Sequence, residues 1–177
     1  DYFRPQIAER RRNPNRQDMF SQFCRATRED GSLLDDDAII DHMNFLMMAA
    51  HDTITSSVTS LVWLLAQNPD WQKKLRAECL AIAPVGSAIT ADQLDRFELT
   101  EYAFKEALRL IPPVPTVPRR ALRDFEYMGY KIPAGTPVSI SPSYVHKMPE
   151  HWDNPEKFEP LRFTPENSKS RHKYAFV

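Results

Sequence analysis

The prolines of this 177-residue chain are unevenly placed, and their placement decides where long helices can form. Most of the 15 prolines follow Ile111, whereas none interrupts the stretch between Pro14 and Pro69. A proline inside a helix removes a backbone hydrogen bond, and its ring clashes with the preceding turn. The sequence therefore predicts a helical part over residues 1–111 and a proline-rich part with short strands and loops over residues 112–177.

The longest helix is predicted at about residues 36–67. Apolar side chains recur there every three or four positions, beginning at Ile39 and Met43 and continuing to Leu65. Acidic residues at the start suit the positive end of the helix dipole, and Asn68-Pro69 ends the pattern. About 30 residues at ~1.5 Å each reach roughly 45 Å, enough to cross a domain. The predicted fold class is mainly α with a small β element.

Composition excludes several function classes. The net charge of −1, with 42% hydrophobic and 27% charged residues, is typical of a globular protein and gives no general attraction to nucleic acid. No apolar run reaches the ~18–20 residues of a membrane span, and no signal peptide is recognisable, so a cytoplasmic location is expected. Cys24 and Cys79 are too few for a disulfide framework, and the histidine spacings do not suit zinc, so no metal ligands are predicted in this chain.

A polar segment interrupts the apolar pattern of the long helix at residues 51–57 (HDTITSS). It contains β-branched and small polar residues that are poor helix formers. Two small residues, Ala49 and Ala50, precede it and leave room for a flat ligand. The segment could handle water and protons beside an apolar ligand, or it could be a solvated stripe on a surface helix. The periodicity alone does not separate these two interpretations.

A carboxylate and a guanidinium, Glu106 and Arg109, lie three residues apart on a predicted helix from about Thr100 to Leu110. This spacing places both on one face. Such pairs are usually exposed and contribute only ~0.3–0.5 kcal/mol. With a second arginine, the carboxylate could instead hold two guanidinium groups in a fixed network. A hydrolase that uses Glu106 as a base is disfavoured because no nucleophile is paired with it.

Three segments, in this order, resemble motifs of the cytochrome P450 family. Residues 49–53 (AAHDT) are similar to the oxygen-activation motif of its long central helix. Residues 106–109 (EALR) resemble the Glu-x-x-Arg motif and are followed closely by the proline-rich run PPVP at 112–115. Residues 158–163 (FEPLRF) resemble the Pro-x-Arg-Phe segment. The resemblance covers nearly the whole chain and implies a partial P450 fold, forming a single incomplete domain over residues 1–177.

The resemblance implies a role for residues around a haem, iron protoporphyrin IX. Thr53 would support proton delivery to dioxygen, and Asp52 would help to relay protons and water. Ala49 and Ala50 would border the haem face and the oxygen pocket. Arg119 occupies the place where the family usually binds a haem propionate.

Further roles follow from the same resemblance. Val114 and Val117 would line the substrate pocket. Glu106, Arg109 and Arg162 would form a structural network behind the haem. A basic run at residues 169–173 would lie near the surface where an electron-transfer partner docks, although an ordinary solvated loop explains these charges equally well.

The sequence departs from the family pattern in three places. Ala50 replaces a usual glycine, and Ile54 replaces a usual Thr or Ser after Thr53. The haem loop, Phe-x-x-Gly-x-x-x-Cys, is expected beyond Val177, and neither Cys24 nor Cys79 has its surroundings. Without a thiolate ligand, the chain by itself is predicted to be inactive.

The parent protein is therefore predicted to be a haem-thiolate monooxygenase. It would insert one oxygen atom from O2 into an apolar small molecule, with electrons from a ferredoxin or a flavoprotein reductase. The alternative is a non-catalytic, degenerate P450-like helical module that acts in protein interaction. A module without redox chemistry would have no use for Asp52 and Thr53.

Overall fold

The computed structural model describes residues 2–177, which fall into two compact units, the first ending at Asp52 and the second covering Thr53–Val177. Among the described residues, the helices are α1 (Arg4–Arg12), α2 (Met19–Arg25), α3 (Asp36–Gln67), α4 (Pro69–Ile82), α5 (Glu98–Leu110), α6 (Pro142–Val145) and α7 (Pro165–Ser168). The strands are β1 (Val117–Arg120), β2 (Phe125–Tyr127), β3 (Tyr130–Ile132) and β4 (Pro137–Ile140). The mainly α class with a small β element is confirmed, whereas the single domain stays a prediction.

The first unit packs α1 and α2 with the beginning of α3. The ring of Phe3 meets the edge of the Phe20 ring at a centroid distance of 5.2 Å. The Asp18 carboxylate accepts a hydrogen bond of 2.9 Å from the backbone N–H of Ser21 and so caps the N-terminus of α2. The core of this unit consists of apolar side chains from all three helices: Phe3, Ile7, Phe20, Cys24 and Ile39.

Helix α3 spans the residues that the apolar pattern predicts, Asp36–Gln67. At its start, the Asp35 carboxylate accepts from the backbone N–H of Ala38 at 2.8 Å. Beyond its end, the side-chain amide of Asn68 donates to the carbonyl of Leu64 at 2.8 Å. Both contacts satisfy backbone groups that have no partner within the helix, so the two ends of α3 are fixed locally.

The core of the second unit lies between α4 and α5. Glu78 of α4 holds the N-terminal end of α5, because its carboxylate accepts from the backbone N–H groups of Leu99 and Thr100 at 2.7 and 2.9 Å. It also accepts from the Thr100 hydroxyl at 2.7 Å. The core around these two helices also includes Leu64 of α3 and Phe158 of the later loop, and its buried members are Leu64, Trp71, Leu75, Ala103, Ala107, Leu110 and Phe158.

The strands differ from the sequence expectation. The pattern predicts strands at residues 119–124 and 126–130, but the structure has two antiparallel pairs, β1 with β4 and β2 with β3. A turn at Met128 and Gly129, with φ angles of 50° and 83°, divides the second predicted strand into a hairpin. Only glycine adopts such angles without cost, so Gly129 is the sequence signal for this turn.

The segment after β4 is mostly loop and packs around an aromatic cluster. Trp152, Phe163 and Ala175 are buried there, with Tyr102 and Phe176 half-buried against them. None of the helices within residues 2–177 combines the length and the apolar character that a membrane crossing requires.

Candidate functional site

Glu106 and Arg109 form a fully buried ion pair on α5. The Arg109 guanidinium donates through Nε to Glu106 Oε2 at 2.7 Å and through Nη2 to Oε1 at 2.8 Å. Both side chains have no solvent exposure. Two parallel charge-assisted hydrogen bonds fix the planar groups against each other. The pair is therefore not the solvent-exposed pair that the spacing alone also permitted.

Further contacts extend this pair into a network. Arg109 Nη1 donates to the carbonyl of His146 at 2.7 Å, and Glu106 Oε1 accepts from the backbone N–H of Glu159 at 2.9 Å. Arg162 Nε lies 3.4 Å from Glu106 Oε1. The structure thus brings together all three residues that the resemblance assigns to a structural network.

A second layer of aromatic and basic side chains covers the network. The Arg171 guanidinium lies over the Trp152 ring at 4.1 Å, and the Arg109 guanidinium lies 5.0 Å from the same ring. Burial lowers the pKa of Arg171. Arg171 also donates to the carbonyl of Arg162. In the predicted basic run, Arg171 is therefore engaged within the protein, whereas Lys169, His172 and Lys173 are exposed.

A cleft of about 830 Å³ lies beside this layer. Its walls include Glu159, Arg162 and Arg171, together with the exposed His151 and His172, whose rings stack at 6.1 Å. Charged walls do not suit an apolar substrate. The cleft therefore differs from the apolar substrate pocket that the sequence predicts around Val114 and Val117.

The predicted oxygen-site residues lie in the middle of α3. In the first unit, Ala49 is half-buried, Ala50 is exposed, and His51 Nδ1 lies 3.0 Å from Asp52 Oδ1 with both side chains exposed. In the second unit, Thr53 is half-buried. The structure shows where these residues lie on the helix, and their roles toward oxygen stay predictions.

The predicted haem- and substrate-contacting residues of the second unit lie on and just before β1. Arg119 is exposed and donates to the carbonyl of Pro118 at 2.9 Å. No carboxylate within residues 2–177 pairs with it. Its charge is therefore free to meet an acidic group such as a haem propionate. Val114 is 47% exposed and Val117 is half-buried, so both can still contact an apolar ligand.

Neither cysteine fits an iron-binding thiolate. Cys24 is buried in the core of the first unit, and burial raises the pKa of its thiol, which keeps it protonated. Cys79 is half-buried within α4. Within residues 2–177, no group of three or more His, Cys, Asp and Glu side chains could hold a metal ion. The exposed guanidinium of Arg119 suits the propionate edge of a haem, whereas the surroundings of Cys24 and Cys79 do not suit an iron-binding thiolate.

The family model of cytochrome P450 matches residues 1–177. The chain belongs to the cytochrome P450 family. It is 38% identical over 178 residues to putative cytochrome P450 136 of Mycobacterium tuberculosis. It is 40% identical over 153 residues, or 86% of the chain, to cytochrome P450 4X1 of Mus musculus. The P450 resemblance predicted from the three motifs is confirmed.

Solved structures show the same P450 fold. A cyanobacterial protein named CYP120A1, solved with retinoic acid bound, matches 99% of the chain with a TM-score of 0.88 and 30% identity. The chain covers 41% of that protein, 36% of the mycobacterial relative and 30% of the mouse relative. The chain thus spans well under half the length of the P450 proteins that it matches.

Proposed function

We propose that the chain is part of a haem-thiolate monooxygenase that inserts one oxygen atom from dioxygen into an apolar organic molecule. The observation that carries this proposal is the buried network of Glu106, Arg109 and Arg162 in a chain of the P450 family. Haem with a cysteine thiolate supplies the electron-transfer and oxygen chemistry of this family. The thiolate would come from a cysteine beyond Val177, so this chain alone would be inactive.

Residues of the central helix would manage protons. A threonine hydroxyl both donates and accepts hydrogen bonds, and a carboxylate exchanges protons with water. Thr53 would hold a proton donor at the oxygen pocket, and the exposed Asp52 would connect it to solvent. Ala49 and Ala50 lack bulky side chains, and so would let a flat macrocycle approach the helix.

Residues near β1 would hold the haem and the substrate. The exposed guanidinium of Arg119 would bind a propionate, while Val114 and Val117 would offer apolar contacts to the substrate. The bound retinoic acid of the cyanobacterial relative, a largely apolar molecule, supports an apolar substrate class for this chain.

The exposed basic residues after α7, Lys169 and Lys173, would form part of the surface for an acidic electron-transfer partner. A ferredoxin or a flavoprotein reductase fits this description. We retain a cytoplasmic location as part of the proposal. The alternative of a non-catalytic interaction module gains no support from the mycobacterial and mouse relatives, both of which are named as cytochromes P450.

The test is a pair of substitutions in the full-length protein, Thr53→Val and Thr53→Ser. Valine keeps the shape of threonine but removes the hydroxyl, whereas serine retains it. We expect Thr53→Val to lower the rate of product formation by on the order of 10²-fold, the usual size of a proton-transfer contribution, and Thr53→Ser to retain most of the rate. Equal rates of product formation in the wild type and Thr53→Val, with equal haem content, would contradict the proposed role.

A further inference from the structure

The buried histidine His146 lies between the ion-pair network and the last residues of the chain. Only 1% of its surface is exposed. Its backbone carbonyl accepts the hydrogen bond from Arg109 Nη1 at 2.7 Å, and its backbone N–H donates to the carbonyl of Pro142, the first residue of α6. The backbone of His146 is thus fixed on the side that faces the network.

The side chain of His146 contacts Phe176 and Val177. Its Nε2 accepts a hydrogen bond from the backbone N–H of Val177 at 3.0 Å, and its ring stacks on Phe176 with centroids 5.1 Å apart. Phe176 in turn meets the Phe163 ring at 5.0 Å. Residues 176 and 177 are therefore held by one imidazole and by the aromatic cluster behind it.

The hydrogen bond requires a neutral imidazole. A ring nitrogen that accepts carries no proton, so the proton of the neutral ring is on Nδ1. Burial lowers the pKa of His146, with the Arg109 guanidinium acting in the same direction, while backbone groups of Arg109, Leu108 and Val177 oppose it without reversing it. Near neutral pH the ring therefore stays uncharged and remains able to accept from Val177.

We propose that His146 is a positioning residue for the iron-binding loop. Its backbone binds Arg109 and its side chain binds Val177, so one residue sets the distance between the buried network and Val177. This inference rests on the proposed function, because that function places the thiolate loop directly after Val177. An ordinary core histidine would contribute only to stability. A positioning residue would also restrain the backbone at Val177 and influence the reduction potential of the haem.

Two substitutions in the full-length, haem-loaded protein separate these roles. His146→Phe keeps a ring that can stack on Phe176 but removes the acceptor, whereas His146→Gln removes the ring but offers an amide oxygen near the position of Nε2. Hydrogen–deuterium exchange of peptides that contain Val177 reports the hydrogen bond directly. The reduction potential of the haem reports the position of its ligand loop.

We expect His146→Phe to speed exchange of the Val177 amide by about three- to tenfold, the effect of losing one ordinary hydrogen bond, and to shift the potential. His146→Gln should return both values toward the wild type. Unchanged Val177 exchange and an unchanged potential in His146→Phe would overturn the proposal. Equal changes in both variants would also overturn it, because they would show that the acceptor is not what matters.

A measurement on the wild type keeps the proposal testable if His146→Phe does not fold. In the reduced, carbon monoxide-bound protein, ¹⁵N shifts of labelled histidine should show an unprotonated Nε2 in His146 at neutral pH, and a protonated Nε2 would overturn the proposal. Failure of the proposed function is distinguishable, because it would appear as wild-type protein without thiolate-bound haem.

Discussion

Removal of the Glu106 charge should destabilise the protein far more than removal of a surface charge from the same helix. The Glu106 carboxylate accepts two hydrogen bonds from Arg109 and one from the backbone of Glu159, and it lies near Arg162. In Glu106→Gln, the buried Arg109 guanidinium would lose its counter-ion and one of its two matching acceptors. A buried charge left without its partner costs about 3–5 kcal/mol, a large share of a typical stability of ~5–15 kcal/mol.

The matched control is Glu101→Gln, also on α5. Glu101 pairs with Lys105 four residues later, at 2.6 Å, but both side chains are exposed. Such a pair contributes only ~0.3–0.5 kcal/mol, because solvent screens it and both side chains lose conformational freedom.

The assay is urea unfolding of the full-length protein, followed by circular dichroism and haem absorbance. We expect a loss of about 3 kcal/mol or more for Glu106→Gln and less than about 0.5 kcal/mol for Glu101→Gln. Equal unfolding free energies for the two variants would refute the reasoning, because they would show that the buried network contributes no more than a surface pair.

Three further predictions concern stability. Glu78→Ala should cost about 1 kcal/mol in urea unfolding, because it removes the cap of α5, while Glu78→Gln should cost less. Because the pKa of His146 is lower in the folded protein than in the unfolded chain, the unfolded chain binds a proton at His146 below about pH 6.5 before the folded protein does. The free energy of unfolding should therefore fall as the pH drops below this value, and it should fall less steeply in His146→Gln. The isolated 177-residue chain should unfold on heating without a sharp transition and should bind an apolar dye, because α3 exposes Ile54, Val58 and Val62. A cooperative thermal transition would contradict this expectation.

Features that depend on neighbouring residues along the chain were predictable. The bounds of α3 follow from its apolar period and from Asn68-Pro69, since helix formation and termination are local events. A short 3-10 helix, Ala91–Arg96, begins with a capping box of Thr90 and Gln93, a four-residue pattern that is visible in the sequence, and both of its hydrogen bonds are present. The strand pattern does not predict the hairpin of β2 and β3, because it runs through Gly129 and places this glycine within a strand instead of a turn.

Features that depend on contacts between distant segments are harder to predict from the sequence. The spacing of Glu106 and Arg109 placed them on one face of a helix, but only the packing of residues 146–163 buries them. Only the resemblance of residues 158–163 to the Pro-x-Arg-Phe segment of cytochromes P450 places Arg162 in the network. His146 carried no motif in the sequence analysis, and nothing in the sequence alone indicates that it meets Val177 across 31 positions.

The nature of the iron ligand in the full-length protein tests the central claim most directly. The absorption spectrum of the reduced, carbon monoxide-bound protein distinguishes a thiolate ligand from an imidazole ligand, and replacing the first cysteine beyond Val177 with serine identifies its source. We expect a thiolate spectrum in the wild type and its loss in this variant. A full-length protein that binds no haem, or binds it without a thiolate, would contradict the assignment as a monooxygenase.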